Sequence, residues 1–202
     1  MKKIMFNDKY GLTQSVLEGR KTMTRRIINT YEADEMDIWI GPYVTLYKKG
    51  DVLNNIFPAY KIGEEVAVAQ RYIEVYNQYA DWLDNKCKER YISPKFLSGL
   101  AGWTNKMFVK SRWMPNRIRI TNVKIEMLQD VSYVDAMREG LIKRYDERNG
   151  FVHYSDINHN VDSYDWQVAF AELIDGVSGK DIWESNPWVF VYEFELIKNN
   201  NF

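Results

Sequence analysis

Cysteine is nearly missing from this sequence. Cys87 stands alone among 202 residues, so no disulfide can close within the chain and no thiolate metal cluster can assemble. Histidine is almost as scarce. His153 and His159 lie six apart near Asp156, a spacing that makes only a weak metal motif. No apolar run approaches the roughly 18 residues of a membrane-spanning helix. Lys2 and Lys3 are not followed by the apolar segment of a signal peptide. A cytoplasmic protein without a membrane partner is the expectation. An excess of charge of one sign is missing too: 27 basic and 28 acidic side chains leave a net charge of -1. A protein that coats duplex DNA is usually basic, so any nucleic-acid site must be a local patch. There is no dinucleotide fingerprint and no Gly-x-Ser-x-Gly elbow. Gly179-Lys180 fails as a phosphate loop, because Ile174 stands where the first glycine belongs and Asp181 follows the lysine. No cofactor or metal is implied.

What is abundant is aromatic. Phe, Trp and Tyr make up 15% of the chain, within an ordinary globular balance of 46% hydrophobic and 27% charged residues. One domain over residues 1–202 is expected, with irregular insertions at about 30–62 and 76–111. A short strand is predicted at Lys3 to Phe6 and a helix at Asp8 to Glu18. Turns are expected at Gly41-Pro42 and Lys49-Gly50-Asp51. A strand opens after Gly63, and a short helix is expected near Ala80 to Glu89. Asn116 to Leu128 is the longest strand. Its apolar parity changes between Ile120 and Val123, which predicts a bulge near Thr121-Asn122. Ser132 to Asp135 forms a capping box for a helix with Val134, Met137 and Leu141 inward. A polar loop is expected over Arg144 to Asn160, then a helix at Tyr164 to Ile174. Trp188 to Leu196 alternates as a closing strand, and Asn199 to Phe202 is expected to fray. The class is α+β, a small mixed β-barrel with packed helices.

Three constellations could carry chemistry. Arg20, Lys21, Arg25 and Arg26 put four cations within seven residues. Their repulsion favours a neutral lysine, so Lys21 could serve as base or nucleophile beside the Thr24 hydroxyl. The same cluster could hold phosphates, or be a solvated basic turn. Glu139 falls in the last turn of its helix, where the dipole disfavours a carboxylate by about 0.3–1 kcal/mol. It calls for a cationic partner, whether a catalytic one or a surface Arg138 or Lys143. Finally, Trp103 to Thr121 carries Lys106, Lys110, Arg112, Arg117 and Arg119 with no acid, interleaved with Trp103, Phe108 and Trp113. Cations among aromatics suit single-stranded RNA, although a charged strand edge over a core tryptophan has the same composition.

The block Gly19-Arg20-Lys21-Thr22-Met23-Thr24-Arg25-Arg26 resembles the opening motif of ASCH-domain proteins, in the PUA-like superfamily. Gly63 to Tyr72, Met114 to Asp130, Asp135 to Gly140 and Asn186 to Phe194 resemble its later blocks in order, over about half the chain. The likeness is greatest to the long ASCH-like proteins of phages and prophages. It implies a PUA-like β-barrel with helices over a cleft, and single-stranded RNA or a modified nucleoside as partner. A bacterial branch hydrolyses N4-acetylcytidine with a lysine, a threonine and a glutamate. By motif position these are Lys21 as base, Thr24 as nucleophile and Glu139 as proton donor or orienting group. Arg20, Arg25, Arg26, Gln70, Lys110, Arg112, Trp113, Arg117 and Arg119 would contact the ligand. One departure is Ala67-Val68-Ala69-Gln70-Arg71, where phage relatives often carry Trp-Val-Arg-Glu-Thr. Binding of RNA or a modified nucleoside, amidohydrolysis of an acylated nucleoside, and non-catalytic docking through the 76–111 insertion are the three functions this reading leaves open.

Overall fold

The structure, a computed structural model, describes residues 1–29, 35–38, 43–48, 51–88 and 94–197. In chain order its elements are β1 (Lys3–Ile4), α1 (Leu12–Leu17), β2 (Met23–Ile27), β3 (Glu35–Ile38), β4 (Val44–Lys48), β5 (Asp51–Ile56) and β6 (Glu65–Val68). Then come α2 (Tyr72–Gln78), α3 (Ala80–Lys88), α4 (Pro94–Ser98), β7 (Arg117–Met127), α5 (Tyr133–Arg138), β8 (Ile142–Asp146), β9 (Phe151–Ser155) and β10 (Asp162–Ser163). The last are α6 (Trp166–Ser178), α7 (Ile182–Ser185) and β11 (Trp188–Ile197). The class is α+β. Among the described residues, no helix is long and apolar enough to cross a membrane.

The main sheet has five strands in the order β1-β6-β7-β11-β2. Its centre is the antiparallel pair β7 and β11, which explains why β11 is apolar on both faces: Val189, Phe190, Val191, Tyr192 and Phe194 are all buried. The bulge falls where the parity change puts it. Glu193 pairs with Asn122 and Phe194 with Ile120, so Thr121 is the extra residue. The sheet does not close into the expected barrel. Among the described residues no ladder joins β1 to β2, because β1 pairs with β6 over only two residues before the chain turns toward α1. One side chain spans the gap: Arg26 Nη2 donates to the Met5 carbonyl at 2.8 Å.

The helix expected from Asp8 begins later. Gly11 takes a left-handed conformation (φ 61°), and a Cβ there would sit 1.8 Å from Ile157 Cγ2. Residues 8–11 therefore form a turn that docks on the 155–161 segment. The 30–62 stretch is not irregular where described. β3, β4 and β5 form an antiparallel meander whose Val44 and Leu46 join the main core. Acidic residues in β3 hide its strand character in the sequence. The turn expected at Gly41-Pro42, the Lys49-Gly50 part of its neighbour and the 199–202 terminus lie outside the described residues.

The polar loop expected at 144–160 is likewise a hairpin. β8 pairs with β9, and the turn closes with a 2.8 Å bond from Gly150 N to the Asp146 carbonyl. Exposed Tyr145 and Phe151 show why no buried face was legible there. Val134 faces solvent rather than the core, whereas Leu141 is buried. Residues 76–111 contain α3, α4 and short 3-10 turns. Together with neighbouring residues they build a second apolar cluster around Tyr72, Leu83, Cys87, Leu97 and Trp113. Burial pushes the Cys87 thiol pKa up, which suits packing rather than reactivity.

Candidate active site

Four segments converge beside β2. Lys21 lies in the turn before the strand, which is anchored by bonds from Arg20 N and Lys21 N to the Ser15 carbonyl at 2.9 Å each. Thr24, Arg25 and Arg26 lie on β2 itself. Glu139 ends α5, a helix started by the Ser132 side chain accepting from Asp135 N. Gly140, at φ 119°, then turns the chain toward β8. The segment 5–7 and the inner face of α6 complete the walls. The resulting cavity, about 50 Å³, is lined by Phe6, Lys21, Thr24, Arg26, Glu139 and Phe170, among others.

Lys21, Thr24, Arg25 and Glu139 are all buried. Lys21 Nζ donates to the Glu139 backbone carbonyl at 2.7 Å and stands 3.7 Å from Glu139 Oε2. The Phe6 ring lies 5.7 Å from the ammonium. These surroundings hold the Lys21 pKa down at about 8. Burial is the principal cause, opposed by the Glu139 carboxylate and assisted by Arg26 and Arg25. The repulsion anticipated from the sequence therefore acts, but as a smaller contribution than loss of water.

Glu139 is held from a second side. Its Oε1 accepts from Arg25 Nη1, and its Oε2 accepts the Arg25 backbone N–H at 3.3 Å. That N–H is free to do so for a reason of register. The Thr22 carbonyl accepts from Phe194 N and Ile28 N donates to the Trp188 carbonyl, both on β11, so by alternation from these even positions the amide of Arg25 points away from the sheet. The Arg25 guanidinium also bonds Glu126 and lies 3.9 Å from Asp135, over the Phe170 ring. Lys124 reaches Glu126 at 2.7 Å, and Arg138 joins Asp135 to Glu193. Lys21, Arg25, Lys124 and Arg138 thus face Glu126, Asp135, Glu139 and Glu193 in a network that runs from the buried Arg25–Glu139 pair out to the half-exposed Lys124 and Arg138. Arg25 Nε is a buried N–H without a partner among the described residues.

The Thr24 hydroxyl makes no hydrogen bond among the described residues, although Thr24 is only 5% exposed. It lines the same cavity as Lys21 and Glu139. A lysine near its midpoint, an uncommitted hydroxyl and an anchored carboxylate in one small cavity form a set able to do nucleophilic chemistry.

The other sequence candidates lie elsewhere. Arg20 pairs with Glu18 at the surface. Arg117 and Arg119 lie on the outer face of the sheet, paired with Glu65 and Glu195. Trp113 is a core residue of the second cluster, while Lys110 and Arg112 are exposed. The cationic strip is therefore no continuous lining of the cavity. Gln70 is buried beneath a different pocket. His153 and His159 both face Asp162, and Asp156 instead caps a turn by accepting from Asn158, Asn160 and Val161. Among the described residues no group of three acidic, histidine or cysteine side chains is arranged to hold a metal ion. Glu126, Asp135 and Lys124 were missed as site residues. Their only sequence signal is that Lys124 and Glu126, two residues apart, share one face of β7. Comparison with family models, with curated proteins and with solved structures returns no match to the chain.

Proposed function

We propose that this chain is an ASCH-like protein of the PUA-like superfamily, with an open form of the barrel. Its Lys21–Thr24–Glu139 cavity would hydrolyse a small acyl amide on a modified nucleoside, as in N4-acetylcytidine. The observation that carries this reading is the buried Lys21, with its pKa held at about 8, sharing a cavity with the unbonded Thr24 hydroxyl. Neutral Lys21 keeps a lone pair while one N–H remains on the Glu139 carbonyl. It takes the Thr24 proton as Oγ1 attacks the acyl carbon, then returns that proton to the leaving nitrogen. The C–N bond breaks and an acyl-threonine ester remains. Water, deprotonated by the same amine, cleaves the ester, releasing the acid and restoring Thr24.

Both Glu139 oxygens accept bonds from Arg25, so its role is to orient Lys21 rather than to donate a proton. A cavity of about 50 Å³ has room for a few atoms rather than for a ring, which suits a small acyl group. The rest of the substrate would lie at its mouth beside Arg26. The scattered and paired cations of 106–119 favour a nucleoside over a long RNA strand.

The test is release of cytidine and acetate from N4-acetylcytidine, followed by chromatography, with wild type beside Lys21→Ala and Thr24→Val. Turnover abolished in both variants is the expected outcome. No turnover by folded wild-type protein would overturn the assignment.

A further inference from the structure

A second and larger pocket, about 510 Å³, opens between α1 and α2 and includes none of Lys21, Thr24 and Glu139. Its volume falls within the range of about 300–1,000 Å³ common for small-molecule sites. At its base lies Gln70, only 2% exposed. Gln70 Oε1 accepts from Asn116 Nδ2 at 2.7 Å, and its backbone N–H is spent on the Met114 sulfur. The amide nitrogen Nε2 has no partner among the described residues. Because Gln70 lines the pocket, this donor is open to an acceptor on whatever enters it.

The charged side chains on the walls are already occupied. Arg71 pairs with Glu74, Glu18 with Arg20 and Gln14, and Asp8 with Lys106 and Thr13. Three carboxylates against one guanidinium line the pocket, which disfavours a phosphate. The free Gln70 Nε2 needs an acceptor, and the second lone pair of its Oε1 can take a donor. Together they read a carbonyl flanked by an N–H.

We infer that the cleft between α1 and α2 is a second ligand site, built for an uncharged molecule with a cyclic amide or ureide edge, which Gln70 reads. A nucleoside without phosphate is the natural member of that class. This inference stands apart from the hydrolytic cavity, so either can fail alone.

Uridine is the probe, titrated calorimetrically into wild type, Gln70→Glu and Lys21→Ala. Gln70→Glu keeps the acceptor for Asn116 and replaces the free donor with an oxygen. Binding to wild type and to Lys21→Ala is expected, weakened at least about tenfold in Gln70→Glu. Uridine 5'-monophosphate is expected to bind at least about tenfold more weakly than uridine. Should Gln70→Glu fail to fold by circular dichroism, Gln78→Trp at the exposed rim fills the mouth and is expected to give the same loss. No binding of uridine to wild type, equal binding to folded Gln70→Glu or to Gln78→Trp, or loss confined to Lys21→Ala would overturn the inference.

Discussion

Lys21 is bonded to the backbone of Glu139, not to its carboxylate: Nζ is 2.7 Å from the carbonyl oxygen and 3.7 Å from Oε2. A full ion pair would hold the lysine charged. A carbonyl contact with a carboxylate at one remove leaves the amine near its midpoint at neutral to mildly basic pH. Arg25 maintains that standoff by taking both oxygens of Glu139.

A pH dependence follows directly. With the Lys21 pKa at about 8, the rate on an acylated nucleoside is expected to climb with pH and level off above that value. The same depression acts on stability. The folded state releases this proton more readily than the unfolded chain, whose lysines titrate near 10.4. Lys21 therefore adds stability as pH rises from about 8 toward 10.4, and that contribution disappears as pH falls through 8. Urea midpoints of wild type and Lys21→Met across this window check it. Parallel curves for the two proteins would show that Lys21 does not titrate there.

Arg25→Met should be the most damaging single change in the site. It leaves Glu126, Asp135 and Glu139 facing one another without their shared cation. Breaking a buried pair from one side costs about 3–5 kcal/mol. A fall in the urea midpoint of that order is expected. A loss under about 1 kcal/mol would place the pair among weak surface bridges instead.

Gly140→Ala tests the hinge between α5 and β8. The position has φ 119°, and a Cβ there would meet Leu12 Cδ2 at 2.7 Å with Lys21 Cδ 4.0 Å away. A left-handed alanine costs about 1–3 kcal/mol. Because Leu12 and Lys21 share the wall that must yield, turnover is expected to fall by more than the fraction unfolded explains. Calorimetry paired with kinetics on the same sample separates the two.

Acyl size gives a further check. A benzoyl group overfills a cavity of about 50 Å³, so N4-benzoylcytidine should turn over at least about a hundredfold more slowly than the acetyl compound. Comparable rates would mean that the acyl group does not enter this cavity.

The sequence revealed most of the sheet and part of the site. β7, its bulge at Thr121, and β11 were legible because apolar alternation over ten residues is hard to mistake. The meander of β3, β4 and β5 and the hairpin of β8 and β9 were not, since strands with charged or aromatic outward faces lack that signal. Lys21 and Glu139 stood out by local charge and helix position. Their meeting across 118 residues of chain, and the arrival of Glu126 and Asp135 at Arg25, depend on the fold, in which β11 lies between β2 and β7. No local pattern encodes that order. The aromatics near Trp113 misled for the opposite reason: composition cannot distinguish a stacking face from a core.

The outward-pointing amide of Arg25 has one more consequence. An edge-strand amide is ordinarily left to water or to a neighbouring strand; here it is spent inside the protein, because Glu139 reaches it from the end of α5. Removing that carboxylate as alanine would silence the cavity and also leave a buried N–H unpaired, at a cost of about 1–3 kcal/mol. Loss of chemistry and loss of stability would then arrive together. Glu139→Gln, which retains an oxygen for the amide, would spare that bond while still losing the chemistry.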